Sequence, residues 1–175
     1  MKAFKQSMYF GLMILALTFT ACSGDDSGDN GGDDNNGGGA EFVTAKIDGA
    51  NFAASQDPAV LVGASKSSST LTVQGSTNDG DAINFTIMGY NGPGTYTTGD
   101  DPANTSLIQY IELPASAWAS NAVTALVGGL APGEITVTVD ADGVVEGTFS
   151  FDGYNGSDMT TKNITEGEFK ANLDN

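Results

Sequence analysis

The chain has 175 residues, and 22 acidic residues against 6 lysines give it a formal net charge of −16. It contains no histidine, no arginine and one cysteine. These counts exclude a Ser-His-Asp or Cys-His catalytic system, an imidazole metal site and an intramolecular disulfide. The few lysines offer no basic footprint for a phosphate backbone, so we expect no nucleic-acid partner.

The first residues have the features of a bacterial targeting segment. Lys2 and Lys5 precede an apolar run of 12 residues at positions 8–19. This run is too short to cross a bilayer core of about 30 Å as a helix, and it is typical of the hydrophobic part of a signal peptide. The pattern therefore predicts a signal peptide over residues 1–21.

The next tetrapeptide, FTAC at residues 19–22, resembles the lipobox of bacterial lipoproteins, with phenylalanine where leucine is commoner. The resemblance implies cleavage before Cys22 and a diacylglyceride on its sulfur, so the membrane is an expected partner. Two or more acyl chains, such as palmitate, give stable attachment, whereas one gives marginal binding. The alternatives are an ordinary secretory signal and an uncleaved anchor.

Residues 22–41 have the composition of an acidic tether. Between positions 23 and 40 there are seven glycines and five aspartates and no large apolar side chain, so nothing offsets the entropy of ordering. We predict a disordered segment with a reach of roughly 23 Å. The run SGDDSGD after Cys22 is similar to the acidic export signals of surface lipoproteins in Bacteroidota. That similarity implies an outer-membrane protein facing the cell exterior; the alternative is a periplasmic orientation.

Residues 42–175 are predicted to form one all-β domain, because 134 residues can bury a sizeable core. Apolar and polar residues alternate along most of this length, which is typical of half-buried strands. Turn residues separate the alternating runs, and DADG at residues 140–143 predicts a hairpin. We expect a single antiparallel β-sandwich or barrel of about 8–10 short strands. For residues 114–127 we favour strand or loop over a short helix, because Ser, Asn and β-branched residues interrupt the helical pattern.

Five segments of this domain share their order and spacing with a known family. They are KIDGANFAA at 46–54, GTYTTG at 94–99, GEITVT at 133–138, GTFSF at 147–151 and NITEGEF at 163–169. In these segments the chain resembles an uncharacterised family of single-domain Bacteroidota lipoproteins. Phe52 stands where the family commonly has tryptophan, which keeps an aromatic core anchor. The resemblance implies an all-β fold and an envelope location, and it implies no activity.

Two carboxylate patterns are candidate chemical sites. Glu166 and Glu168 would share one strand face about 7 Å apart, a separation that suits the paired acids of glycosidases. A solvated strand face explains the same spacing, so we expect no enzyme. Asp140, Asp142 and Glu146 offer oxygen ligands to calcium, but the 12-residue ligand loop is missing. Asp and Gly also belong in tight turns, so we predict no metal and no cofactor.

Aromatic residues beside amides are the predicted ligand-binding residues. The sequence GYNG occurs twice and places Tyr90 before Asn91 and Tyr154 before Asn155, while Trp118 adds a third large ring. Such residues on the loops of a β scaffold suit a glycan or a protein ligand. The alternative is that the rings close the ends of the core. The expected function is a lipid-anchored binding or interaction module. The other hypothesis is a structural or accessory envelope component without a small-molecule ligand.

Overall fold

Alternating burial produces eleven strands and one short helix in the computed structural model, which describes residues 40–55 and 62–174. The predicted signal peptide, Cys22 and the tether up to residue 39 lie outside the described residues. The strands are β1 Phe42–Ile47, β2 Ala50–Ala53, β3 Gly63–Ser67, β4 Thr70–Ser76, β5 Ala82–Met88, β6 Gly94–Thr98, β7 Leu107–Glu112, β8 Ser116–Ser120, β9 Gly133–Ala141, β10 Val144–Asn155 and β11 Thr160–Asp174. The helix α1 spans Ala122–Gly128.

The strands form two packed layers whose edges are joined. One layer has the order β2-β1-β11-β10-β9-β6, and the other has the order β3-β4-β5-β7-β8. A short parallel pairing joins β11 to β3 at Leu173 and Ala64, and a single antiparallel pair, Tyr154 with Ala119, joins β10 to β8. The sequence left sandwich and barrel as alternatives, and the fold has features of both. Its strands pack in two layers, as in a sandwich, and seven of them form a closed ring of hydrogen-bonded neighbours, as in a barrel.

The all-β prediction is confirmed. The strand count is eleven rather than 8–10, and β10 and β11, with 12 and 15 residues, are not short. Nearly all pairings are antiparallel; the contact between β11 and β3 is the exception among the described strands. The hairpin predicted at DADG joins β9 to β10, with positive φ at both Asp142 and Gly143. Two central residues with φ > 0 are the signature of a type I′ turn.

The preference for strand or loop over residues 114–127 was wrong for α1. Asn121 caps this helix by accepting hydrogen bonds from the backbone N–H groups of Val123 and Thr124, and Thr124 completes the capping box. Gly129 ends the helix in the left-handed conformation. These caps offset the weak helix propensity of the interior residues. No helix among the described residues has the length and apolarity needed to cross a membrane.

The core is densest where aromatic rings of one layer meet the middle strand of the other. Phe85 of β5 lies with its ring centroid 6.1 Å from that of Phe149 and 5.0 Å from that of Phe169. Across the β10–β11 ladder, Phe149 pairs with Gly167 and Gly147 pairs with Phe169. Each phenylalanine ring therefore covers the glycine opposite it. Both glycines are buried, and neither position has room for a Cβ atom.

We expect Gly167→Ala to lower the free energy of unfolding by about 1–3 kcal/mol or more. The added Cβ would collide with the ring and the carbonyl oxygen of Phe149, and overpacking of a dense core carries a cost of this size. Gly63→Ala is the matched control, since a Cβ at Gly63 meets nothing within 4 Å. Urea unfolding followed by circular dichroism measures both. Equal stability of the two variants would contradict the tight aromatic–glycine contact.

Candidate functional site

Tyr90, the first of the predicted binding residues, is buried at one end of the sandwich with 5% of its surface exposed. Its hydroxyl donates a hydrogen bond to Asp140 Oδ2 at 2.8 Å, and its ring packs on that of Tyr96. Burial first, and then the bond to Asp140, raise the pKa of the Tyr90 hydroxyl far above its ordinary value. Tyr90 is therefore a neutral hydrogen-bond donor at the edge of the core, and no ligand can stack on its buried ring.

Trp118 is likewise buried, at 6% exposure, in a cluster of aromatic and charged groups. Its ring stacks on that of Tyr110 with centroids 5.9 Å apart, and its indole N–H donates to Thr160 Oγ1 at 2.9 Å. Lys162 Nζ lies 4.5 Å from the centre of the Trp118 ring and forms an ion pair with Glu112. This arrangement satisfies the polar edge of the indole and holds a lysine over its face.

The structure separates the five predicted binding residues into two groups. Trp118, Tyr154 and Asn155 lie near the end of β10, and Tyr90 with Asn91 lies near its start, where Asp140 pairs with Val145. Nine residues of strand, about 30 Å, separate these positions. Asn155 is buried and accepts from the backbone of Ser157, and Gly128 of α1 packs on the ring of Tyr154. The rings of Tyr90, Trp118 and Tyr154 therefore do not form one exposed patch.

The carboxylates considered as chemical sites are largely engaged with lysines. Lys46 forms an ion pair with Glu166 at 2.8 Å, and Lys170 pairs with Glu146 at 2.6 Å. Lys66 Nζ lies 2.6 Å from Asp140 Oδ1, and this bond chiefly keeps the pKa of Asp140 below its ordinary value. Among the residues that the structure describes, no group of three or more metal-binding side chains is placed to hold an ion.

The aromatic anchor expected at Phe52 is confirmed. This residue is buried and meets the ring of Tyr110 edge-on, with centroids 6.1 Å apart and an angle of 84° between the planes. Because Phe52 belongs to the edge strand β2 and Tyr110 to β7 of the other layer, the contact joins the two layers.

The two outer faces of the sandwich differ sharply in charge. On the layer that contains β10 and β11, the outward side chains include Lys46, Glu134, Glu146, Asp152, Glu166, Glu168 and Lys170. On the other layer, the outward residues of all five strands are uncharged, and we call their surface the neutral face. It consists of Gly63, Ser65, Ser67, Thr70, Thr72, Gln74, Ser76, Ala82, Asn84, Thr86, Met88, Leu107, Gln109, Ile111, Ala117 and Ala119.

The neutral face is organised in rows that cross the strands. Gln74, Asn84 and Gln109 stand directly opposite one another on β4, β5 and β7 and form an amide row. None of these three amides makes a hydrogen bond to another described residue, whereas in the neighbouring row the hydroxyls of Thr72 and Thr86 lie 3.2 Å apart. The amide row therefore presents donors and acceptors that are free to meet a ligand.

The neutral face continues toward α1. Leu107 of this face and Val123 of α1 line one open pocket of about 430 Å³. On the same helix, Leu126 is 84% exposed and Val127 is 65% exposed. Positions i, i+3 and i+4 lie on one side of a helix, so these three side chains form an aliphatic stripe in solvent.

The described residues thus define a closed all-β sandwich with one charged and one neutral outer face. The chain belongs to the family described as Domain of unknown function (DUF6252), whose sequence profile matches residues 40–171. This match confirms the resemblance to a family of unassigned function. Neither a curated protein nor a solved structure matches the chain.

The neutral face was not identified from the sequence, although a signal for it exists. Within residues 82–133 the charged residues are confined to Asp100, Asp101 and Glu112, in a domain rich in acidic residues. A charge map along the chain, combined with the alternation of the strands, would have indicated the face. The aromatic pattern drew attention instead to rings that the fold uses internally.

Asp140 gives a prediction for the dependence of stability on pH. Its pKa is lower in the folded chain than the ordinary value of 3.8, so the unfolded chain binds the proton more readily. The stabilisation is therefore complete above that ordinary value and is lost as the pH falls through the folded-state pKa. We expect Asp140→Asn to cost roughly 1–3 kcal/mol at pH 7, a loss that shrinks as the pH approaches 2.

Denaturant unfolding at several pH values between 7 and 2 measures this effect. Asp142→Asn is the matched control, because it makes the same chemical change in an exposed turn two residues away. At pH 7 it should lower the free energy of unfolding less than Asp140→Asn does, because it leaves the ion pair between Lys66 and Asp140 in place. A loss for Asp140→Asn that is independent of pH would show that the ion pair with Lys66 is not its cause.

Proposed function

We propose that this protein is a lipid-anchored, non-enzymatic binding module of the bacterial outer membrane, facing the cell exterior and using the neutral face as its binding surface. The FTAC tetrapeptide and the acidic run after Cys22 support the anchoring and the orientation. The separation of charge between the two outer faces carries the assignment of the binding surface.

This strongly acidic domain has one face without charged side chains. A neutral partner can bind to that face without dehydrating any charged group. Transfer of a charged side chain into a contact costs more than transfer of an amide or hydroxyl that finds a new hydrogen bond. The free amides of Gln74, Asn84 and Gln109 supply such bonds, and the aliphatic side chains beside them supply apolar contact. A purely structural envelope component would not require this segregation, so we place that hypothesis second.

We expect a photo-crosslinking residue at position 109 to capture a ligand in living cells. Gln109 lies in the amide row of the neutral face, and a benzophenone side chain there would reach whatever covers it. Thr148, which is exposed on the charged face, is the matched control position. Immunoblots should show slower-migrating adducts after illumination for position 109 and none for position 148. Adducts at neither position, or equal adducts at both, would contradict the neutral face as the binding surface.

We expect Cys22→Ser to release the protein from membranes, since the sulfur that would carry the lipid is removed and the described domain offers no membrane-crossing helix. Fractionation of cells followed by immunoblotting measures the distribution. Ser23→Ala is the control, because it leaves the cysteine in place and should keep the protein in the membrane fraction. A Cys22→Ser protein that is cut from its signal yet stays membrane-bound would refute lipidation. Protease treatment of intact cells tests exposure on the exterior.

A further inference from the structure

We infer that the ligand of the neutral face is an extended, uncharged polysaccharide that crosses the strands along the amide row. This inference rests on the proposed binding function and adds the chemical class of the ligand. The observation behind it is the repetition of one kind of side chain at one spacing, since a regular surface is complementary to a regular polymer.

The spacing of the amide row suits a sugar chain. Gln74, Asn84 and Gln109 lie on adjacent strands, so neighbouring amides are separated by about 4.8 Å. This distance is close to the length of one pyranose ring in an extended β-linked chain. Gly63 and Ala119 continue the row on β3 and β8. Tyr154 of β10 stands opposite Ala119, so a large aromatic ring follows the small residue at that end of the row.

The rows on either side match the amphipathic character of sugar rings. Ser65, Thr72 and Thr86 form a row of hydroxyls on one side of the amides, and Ala82, Ile111 and Ala117 form an aliphatic row on the other. A pyranose ring presents hydroxyls at its edges and C–H groups on its faces. Each sugar hydroxyl both donates and accepts, so it satisfies a side-chain amide in either orientation. A protein partner would need a donor or acceptor of the right kind opposite every amide. Any amide without one would be buried and left unpaired.

Charge decides between classes of polysaccharide. The chain carries a net charge of −16, which repels anionic polymers at a distance. The neutral face has no cation to attract a uronate or a sulfate, and a cationic polymer would be drawn to the charged face instead. Asp174 lies at the rim of a small open pocket of about 170 Å³ that Gln74 and Thr72 also line. Its carboxylate can accept a hydrogen bond from a hydroxyl group of a neutral sugar. A neutral chain is therefore the ligand that this surface favours.

The test uses the full chain in a non-ionic detergent and affinity electrophoresis in gels containing soluble xyloglucan, mixed-linkage β-glucan or galactomannan. Polygalacturonate is the acidic comparison. We expect at least one neutral polysaccharide to retard the protein and polygalacturonate to leave it unaffected. Titration calorimetry with oligosaccharides of the retarding polymer should show affinity rising with chain length up to three to five sugar rings.

Alanine variants then locate the site. Gln74→Ala, Asn84→Ala and Gln109→Ala should each weaken binding roughly tenfold, and Thr148→Ala on the charged face should leave it unchanged. Thermal melts check the fold, and Gln74→Ala, at an exposed position, keeps the test valid if another variant unfolds. No retardation by the three neutral polymers, or retardation that the amide variants do not alter, would overturn the inference. Protein adducts at position 109 without polysaccharide binding would overturn the ligand class while leaving the binding function intact.

Discussion

The close approach of Phe85 to the β10–β11 ladder is the contact on which the sandwich depends. Phe149 and Phe169 point into the same space, and they fit only because Gly167 and Gly147 stand opposite them. This reciprocal pairing lets two rings cover backbone instead of competing with side chains, while Phe85 fills the space between them from the other layer. The GTFSF and ITEGEF segments are therefore two halves of one packing unit.

This packing unit also explains why polar chemistry lies on the outside. Large rings fill the interior, so the polar ends of buried aromatics are satisfied at the edges, as Tyr90 is by Asp140 and Trp118 by Thr160. Charged side chains collect on the outer face of the β10–β11 layer, where Lys46 and Lys170 pair with glutamates across strands. Exposed pairs of this kind contribute little stability individually, and they keep this face hydrated.

Much of the fold could be predicted because inward and outward positions alternate in the sequence. Val43, Phe85 and Ile135 are apolar members of alternating runs, and all three are buried. The pairing of Gly147 with Phe169 could not be predicted, because it depends on a register between strands far apart in the chain. The site was missed for a related reason. Tyr90 and Trp118 have the composition of a binding site, but partners that are distant in sequence bury them. The amide row depends on the register between β4, β5 and β7, which the sequence does not contain.

Contact between two copies of the chain through the neutral face would meet negative charge at the rim of that face. Two sandwiches that met through this face would bring their rims together, and the rim carries carboxylates such as Asp81, which precedes β5, and the exposed Asp174 beside β3. Repulsion between exposed charges acts over about 8 Å at physiological ionic strength, which is enough to oppose close contact of two rims. A sugar chain of the kind inferred above is narrow and uncharged, so it would reach the centre of the face without meeting that repulsion. The acidic character from which we expect no nucleic-acid partner is therefore also the character that would favour a slender neutral ligand over self-association.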